Sequence, residues 1–179
     1  MQLSKEQVMA FLPHRDPFLF INTVSKITLA QDLDQKNGED QFSVASVKEL
    51  IGGSVTAHFH VDKSMDIFRG HFPGRPILPG VIQIEMMAQA SCMLIARSVE
   101  DLNNPELEVA LMGITSAKFR HPVGPSDDLT INSTCQKVRG PVMRYEAKIF
   151  RHDQVVSEAT ILASVKYKTG TITPHQKEV

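Results

Sequence analysis

Three residues near the middle of the sequence, His71, Gly80 and Glu85, have types and a spacing that could support acid–base chemistry. Histidine exchanges a proton readily near neutral pH, so His71 could serve as a base. Glu85 lies between the apolar residues Ile84 and Met86, and burial would favour the protonated carboxyl group that a general acid requires. Gly80 would begin a helix, where a backbone N–H without an acceptor can stabilise negative charge on a carbonyl oxygen.

A base, an acid and an oxyanion donor together suit the removal of a proton beside a carbonyl group with loss of a β-hydroxyl. Gln89 lies four residues after Glu85, so its amide could meet the carboxyl group on the same helix face. Simpler interpretations stay open at this point. His71 could be a loop histidine without a catalytic role, and Glu85 could be a structural carboxylate that the helix dipole stabilises.

The elements that must position these residues differ sharply in composition. Between Gly70 and Gly80, six of eleven residues are glycine or proline, so this segment should be irregular. The next sixteen residues, 81–96, contain only four polar side chains, which predicts a long helix that is buried on nearly every side. This helix is too short and too polar to span a membrane.

Most of the remaining sequence favours β-strands. A short helix is predicted over 4–11, where Ser4 and Gln7 have the spacing of a capping box. Alternating apolar residues or β-branched runs predict strands over 18–29, 55–61, 111–119, 129–138, 143–150 and 155–167. The expected fold class is therefore α+β, with five or six mostly antiparallel strands around one helix. Because one flat sheet covers only one side of such a helix, the sheet must curl around it or a second subunit must cover the remaining surface.

Residues 30–53 are expected to form a long loop, with a helical turn over 46–51, and the polar tail from Thr169 is expected to fray. The 179 residues, of which 42% are hydrophobic, are expected to form a single domain over 1–179. Nineteen basic residues nearly balance twenty acidic ones, which argues against sequence-independent nucleic-acid binding. Without a membrane span or a signal-peptide pattern, we expect a cytoplasmic protein with no membrane partner.

The sequence offers little support for a metal site. Cys92 and Cys135 match neither a disulfide framework nor a zinc-site spacing. His58 and His60 could share one face of a strand at a spacing that metals use, but no carboxylate or cysteine cluster accompanies them. An exposed strand face is the simpler interpretation.

One long motif points to a known enzyme family: residues 70–91, GHFPGRPILPGVIQIEMMAQAS, closely resemble the signature of the β-hydroxyacyl-acyl-carrier-protein dehydratases. Two flanking segments agree with this resemblance, LPHRDPFLFINTV at 12–24 and GITSAKFRHPVGPSDDLTI at 113–131. With Glu85 and Arg75, the chain resembles the FabZ-type branch of the family, whereas the other branch has aspartate at both positions. The resemblance implies a hot-dog fold, in which a curved antiparallel sheet wraps one central helix.

The resemblance also implies a role for each residue of the site. His71 would be the catalytic base and Glu85 the catalytic acid. The backbone N–H of Gly80 would face a thioester carbonyl, the backbone carbonyl of Ile77 would orient the imidazole ring, and Gln89 would support the acid. For His14, which lies in the N-terminal motif, we expect packing or hydrogen bonding rather than catalysis.

The implied reaction is dehydration of β-hydroxyacyl-acyl carrier protein to the trans-2-enoyl product in type II fatty-acid biosynthesis, with no cofactor and no metal. The acyl chain would be presented on the phosphopantetheine arm of the carrier. Family members build each site between the chains of a homodimer, which would take His71 from one chain and Glu85 from the other; a trimer of dimers is the larger alternative. Carrier proteins are acidic, so a basic docking patch is expected, with the candidates Arg97, Lys118, Arg120 and Arg139.

Two features depart from the family pattern. The loop from about Asp32 to Gly53 is longer than usual, and it could cover the mouth of the acyl tunnel, thicken an oligomer contact or simply be mobile. Arg69 stands where the family often has a neutral glutamine, and a cation near His71 would favour the neutral imidazole. The alternatives are a dehydratase or thioesterase of a specialised acyl or polyketide pathway, or a non-catalytic acyl-carrier-binding module. Retention of both His71 and Glu85 favours the elimination reaction.

Overall fold

The computed structural model describes residues 1–33, 44–103, 105 and 107–167. Two helices and six strands make up its regular elements. In chain order they are α1 (Lys5–Phe11), β1 (Thr23–Thr28), β2 (Ser54–His60), α2 (Gly80–Cys92), β3 (Leu107–Phe119), β4 (Asp128–Arg139), β5 (Val142–Arg151) and β6 (Gln154–Tyr167).

The six strands form one antiparallel sheet in the order β1-β2-β4-β5-β6-β3. Buried and exposed residues alternate along β4 and β5, so one face of the sheet is covered and the other faces solvent. Helix α2 packs against β2, β3, β4, β5 and β6, which a flat sheet could not achieve. Irregular register in four of the strand pairs accompanies this curvature, because bulges bend the strands that carry them. The predicted α+β architecture is confirmed.

The apolar run predicted as one helix is a continuous buried element of two parts. The α-helix ends at Cys92, and a tighter 3₁₀ turn continues over Met93–Ser98. Met86 and Met87 point in different directions from the helix, and both are completely buried. Burial on several sides explains why the sequence shows no polar stripe along this helix.

Several predicted element boundaries shift in the structure. The first strand covers only Thr23–Thr28, because the backbone of Phe18 and Phe20 hydrogen-bonds to a side chain of α2 rather than to a strand. Strand β3 begins at Leu107, four residues earlier than predicted, since its pairing with β6 extends to that point. The predicted short helix is confirmed as α1, with the capping box of Ser4 and Gln7 present.

Strand β3 forms an open edge of the sheet. In the described part of the chain it pairs with β6 on one side only. Its apolar side chains Val109, Leu111, Met112 and Ile114 are between 41% and 60% exposed. An open edge with several exposed apolar side chains is typical of a surface that binds another chain.

Arg97 holds the two described ends of the long loop together. Its guanidinium lies 2.9 Å from the carboxylate of Asp32, and its backbone carbonyl accepts a hydrogen bond from the Ala45 N–H at 2.8 Å. Only 10% of the Arg97 side chain is exposed. The prediction that Arg97 belongs to a docking patch is therefore wrong, because its charge is used inside the fold. Residues 34–43 of the loop, and the tail from Thr169, lie outside the described residues.

The Asp32–Arg97 ion pair should contribute measurably to stability. Burial opposes ionisation of Asp32, but the Leu29 N–H and the Arg97 guanidinium lower the pKa of Asp32 below its ordinary value. We expect Asp32→Asn to lower the free energy of unfolding by about 1–3 kcal/mol, because it removes the Asp32 carboxylate from a nearly buried guanidinium. Urea unfolding at neutral pH measures this loss.

The exposed pair of Asp66 and Arg69 supplies a matched control, since its atoms are 3.7 Å apart and the Asp66 side chain is 88% exposed. Asp66→Asn should change the free energy of unfolding by less than about 0.5 kcal/mol. A lowered folded-state pKa stabilises above the unfolded pKa of the carboxyl group, and this contribution disappears as pH falls through the folded value. The difference between wild type and Asp32→Asn should therefore shrink in acid; equal losses for the two variants would contradict the assignment.

Candidate active site

The glycine- and proline-rich segment folds back on itself before helix α2 begins. Hydrogen bonds join Phe72 and Arg75 in both directions, at 3.2 and 2.9 Å, and the Ile77 N–H donates to the His71 carbonyl at 2.9 Å. Gly74 between them has φ of 75°, which glycine adopts without strain. This loop presents the His71 side chain next to the start of the helix.

The ring of His71 is oriented by the carbonyl group that the sequence resemblance implied. Its Nδ1 lies 2.8 Å from the carbonyl oxygen of Ile77. Because a carbonyl can only accept, Nδ1 carries the hydrogen and Nε2 keeps a lone pair. The ring also stacks on Phe72, with ring centroids 3.9 Å apart. The imidazole is therefore held in the tautomer that can take up a proton at Nε2.

Gly80 is the first residue of α2, so its N–H has no acceptor within the helix. The aromatic ring of Phe119, at the end of β3, lies directly against it. A Cβ atom at position 80 would come within 2.8, 2.9 and 3.0 Å of three carbons of that ring. A side chain at position 80 would therefore have to displace the ring of Phe119.

Glu85 lies one turn further along α2, and two side-chain N–H groups meet one of its oxygens. Oε1 is 3.0 Å from Nε2 of Gln89 and 3.3 Å from Nε2 of His14. The His14 hydrogen bond is the main cause that lowers the pKa of Glu85; burial works in the opposite direction and Gln89 assists the lowering. The prediction that burial would favour protonated Glu85 is wrong for this state of the protein, because the two donors outweigh desolvation.

Gln89 joins the central helix to the N-terminal segment. Its buried amide donates to the Phe18 carbonyl at 2.9 Å, and its oxygen accepts from the Phe20 N–H at 2.8 Å. The same Nε2 group also serves Glu85. This network places His14 beside Glu85, although 71 residues separate them in the sequence. The sequence predicts hydrogen bonding for His14, but no feature of its spacing points to Glu85 as the partner.

A groove of about 560 Å³ opens beside Glu85, between the N-terminal segment, α2 and the first half of β3. His71 does not line this groove. Among the described residues, its ring hydrogen-bonds to Ile77 and stacks on Phe72, and it forms no hydrogen bond or ion pair with Glu85. Most of the lining is apolar: Phe11, Leu12, Phe18, Ala88, Cys92, Leu107, Val109 and Leu111. The groove can therefore accept an extended apolar group that ends at a carboxylate.

The other charged candidates lie away from this groove. Arg69 is exposed and pairs with Asp66, so water and a carboxylate screen its charge from His71. Lys118 and Arg120 both bind Glu158, at 3.9 and 2.6 Å. Arg139 lies exposed at the end of β4.

His58 and His60 lie on the solvent side of β2, as predicted. Nε2 of His58 contacts the Ser25 hydroxyl, and Nδ1 of His60 contacts the Asp128 carboxylate, both at 2.7 Å. Within the described ranges, no group of three or more histidine, cysteine, aspartate or glutamate side chains is arranged to hold a metal ion.

Comparisons with known proteins agree on one family. Residues 46–160 match the ApeI-like family, described as ApeI dehydratase. The 3-hydroxyacyl-[acyl-carrier-protein] dehydratase FabZ of Syntrophobacter fumaroxidans is 32% identical over 89% of this chain and 91% of its own length. The enzyme of the same name from Rickettsia typhi is 32% identical over 90% of this chain and 95% of its own length.

A solved structure, that of the fluoroacetyl-CoA thioesterase FlK, superposes with a TM-score of 0.55 over 66% of this chain and 88% of its own. Because the identity is only 14%, this likeness concerns the fold alone. It confirms the predicted hot-dog fold.

The hydrogen bonds of Gln89 should make this side chain more important for stability than its size suggests. Gln89→Met keeps the volume but leaves the Phe20 N–H, the Phe18 carbonyl and Glu85 without this partner. We expect a loss of about 2–4 kcal/mol in the free energy of unfolding. Chemical denaturation with a two-state fit measures it.

Gln83 provides the control on the same helix. It is equally buried, but its amide makes one hydrogen bond, to the Leu78 carbonyl at 3.1 Å, and its oxygen has no partner among the described residues. Gln83→Met should therefore cost about 1 kcal/mol or less. If both variants lost the same stability, the N-terminal segment would not depend on Gln89.

Proposed function

Since the chain belongs to the FabZ-type β-hydroxyacyl-acyl-carrier-protein dehydratases, we propose that it removes water from a β-hydroxyacyl group carried on acyl carrier protein and releases the trans-2-enoyl product. The observation that carries this proposal is the orientation of His71 by the Ile77 carbonyl. This orientation leaves the Nε2 lone pair of His71 free next to the N-terminus of α2. A thioester bound there could contact both His71 and the N–H of Gly80. Type II fatty-acid biosynthesis is the pathway to which this activity belongs.

The reaction begins with removal of a proton from the α-carbon by Nε2 of His71. The electron pair of the broken C–H bond moves toward the thioester carbonyl, whose oxygen becomes negative. The N–H of Gly80 and the positive end of the α2 dipole stabilise this charge. Proton transfer by a well-placed side chain contributes typically 10²–10⁴-fold to such a rate.

The second part of the reaction breaks the bond between the β-carbon and its oxygen. The electron pair returns from the enolate to form the α,β double bond, and the leaving hydroxide takes a proton from Glu85 to become water. Glu85 must therefore carry a proton when the substrate is bound. Exclusion of water by the acyl chain favours that form, because an ionised carboxylate is costly without solvent.

The complete site requires two chains in our proposal. Within one chain Glu85 lines the groove and His71 does not, while the exposed apolar edge at β3 offers a surface for a second sheet. In a homodimer joined at this edge, His71 of one protomer would act with Glu85 of the partner subunit. A trimer of dimers is the larger assembly that the sequence resemblance implies.

The acyl carrier protein is the proposed macromolecular partner. Of the predicted basic patch, Lys118 and Arg120 remain partly exposed beside Glu158, and Arg139 is exposed at the end of β4. No helix in the described ranges is long and apolar enough to cross a membrane. A cytoplasmic location and a single domain over 1–179 stay predictions.

A second candidate differs in the acyl chain rather than in the chemistry. The match of residues 46–160 to the ApeI-like dehydratases supports the same reaction, and a specialised acyl substrate is the alternative to an ordinary fatty acyl chain. A panel of β-hydroxyacyl carriers of increasing chain length distinguishes the two candidates. Preference for ordinary saturated chains supports the fatty-acid pathway, and rejection of all of them supports the specialised one.

The proposed roles predict strong losses at two positions. His71→Ala and Glu85→Gln should each lower kcat for dehydration of β-hydroxybutyryl-acyl carrier protein by roughly 10²-fold or more. Absorbance of the enoyl thioester measures the rate. Full activity of either variant in a folded protein would contradict its role.

Mixing the two inactive variants tests whether the site spans two chains. After co-refolding, half of the dimers should contain one chain of each kind, and each of these should hold one intact site. About a quarter of wild-type activity should therefore return. No recovery, with exchange of subunits verified by mass spectrometry, would place both residues in one chain.

Close packing at Gly80 gives a further prediction. Gly80→Ala should lower kcat/KM by roughly 10-fold or more, because the new methyl group displaces the ring of Phe119 and shifts the start of α2. The double variant Gly80→Ala/Phe119→Leu should recover part of this loss, since leucine removes the rigid ring. If the double variant were weaker than both single variants, a clash with the ring would not be the cause.

A further inference from the structure

We propose that His14 is a positioning residue of the active site: it binds one oxygen of Glu85 and so leaves the other oxygen to carry the proton that the reaction transfers. This inference rests on the proposed dehydratase function, which it deepens by naming the atom that acts as the acid. His14 itself does not touch the substrate in this proposal and acts through Glu85.

The first support is the convergence of two donors on a single oxygen. Nε2 of Gln89 and Nε2 of His14 both lie within hydrogen-bonding distance of Oε1 of Glu85, at 3.0 and 3.3 Å. An oxygen that accepts the Gln89 hydrogen bond and is also contacted by the His14 ring is poorly suited to hold a proton of its own. A proton that arrives at this carboxyl group therefore goes to Oε2.

The second support is the tautomer of His14. Its Nδ1 is buried and has no hydrogen-bond partner among the described residues. An N–H at that position would be a buried donor without an acceptor, which proteins avoid more strictly than a lone pair without a donor. The hydrogen therefore resides on Nε2, where it faces Glu85. This form donates to Oε1 whether Oε2 is ionised or protonated.

The third support is the rigidity of the segment that carries His14. The ring stacks on Phe18 with a centroid distance of 6.5 Å and an angle of 24°. The carbonyl of Phe18 is fixed to α2 through Gln89. Arg15 donates to the carbonyls of Leu12 and His14, at 2.8 and 2.7 Å, which closes the turn around the histidine.

Other titratable or charged groups in the described part of the groove do not compete for this role. The lining residues of this kind, besides His14 and Glu85, are Arg15 and Cys92. The guanidinium of Arg15 binds backbone carbonyls. Burial, and then the charge of Glu85, raise the pKa of the Cys92 thiol to about 12, so the thiol stays neutral. The lining residues contributed by β3 are apolar.

Two variants separate the hydrogen bond from the packing. His14→Phe keeps an aromatic ring beside Phe18 but removes the donor. His14→Gln removes the ring but retains an N–H that can reach Oε1. Circular dichroism and size-exclusion chromatography of the full chain verify that both variants fold and assemble like wild type. His60→Phe, at an exposed position on β2, is the control for loss of a histidine elsewhere.

The decisive measurement is the pKa of Glu85 itself, followed by carboxyl ¹³C NMR of protein labelled at glutamate. Glu85→Gln identifies the resonance by its absence. We expect His14→Phe to raise the pKa of Glu85 by about one unit or more, and His14→Gln to return it toward the wild-type value. His60→Phe should leave it unchanged. An unchanged pKa in His14→Phe would overturn the proposal, as would a His14→Gln that behaves like His14→Phe.

Kinetics supply the second readout, with β-hydroxybutyryl-acyl carrier protein as the substrate. In His14→Phe we expect kcat to fall roughly 10–100-fold with little change in KM, because orientation of the acid is lost rather than binding. The limb of the kcat profile that belongs to Glu85 should move to higher pH. If His14→Phe raised the pKa of Glu85 but left the pH profile of kcat unchanged, the positioning role would be overturned. The contact between His14 and Glu85 would then be structural only.

Failure of the proposed function gives a different result from failure of this inference. If the wild-type protein dehydrated no β-hydroxyacyl carrier, the proposed function would fail, and the role of His14 as a positioning residue for that reaction would fail with it. The NMR titration would still report whether His14 controls the ionisation of Glu85. If wild type is active and the titration shows no effect of His14→Phe, only the further inference fails.

Discussion

The hydrogen bonds of the Gln89 amide are the interaction on which the rest of the site depends. Helix α2 is buried on several sides, so a polar side chain on it must find partners within the fold. Gln89 finds them in the backbone of Phe18 and Phe20 and in the carboxylate of Glu85. One side chain thus ties the N-terminal segment to the central helix and places His14 next to Glu85. Without it, the groove would lose one of its walls.

Glu85 shows how two opposing effects are decided by geometry. Removal of a carboxyl group from water favours its protonated form, whereas hydrogen-bond donors favour the ionised form. The side chain is still 21% exposed, and Gln89 and His14 both contact one of its oxygens, so these contacts outweigh burial and the pKa of Glu85 is lowered. Substrate that excludes water would shift this balance toward protonation without any change in the protein contacts. In the proposed reaction, Glu85 would need this protonated form to act as the acid.

The curved sheet of a single chain has an apolar edge strand that nothing in the described structure covers. Five strands, β3 among them, contact the helix, but β3 keeps an open edge with apolar side chains on it. Within one chain, Glu85 lines the groove and His71 does not. A second copy joined at that edge would resolve both, because covering the edge would bring two half-sites together. Packing and catalysis would then require the same interface.

Local features of this protein follow from the sequence alone: the irregular loop before Gly80, the buried run after it, the capping box at Ser4, and the continuous segment from His71 to Gln89 that carries the candidate site residues. Backbone preferences and hydrophobic periodicity act over a few residues, so they are visible in the sequence. The tertiary structure alone decided that Asp32 binds Arg97, that the first strand is short, and that His14 contacts Glu85. Those contacts join residues 65 to 71 positions apart, and long polar side chains select their partners only when folding has brought them within reach.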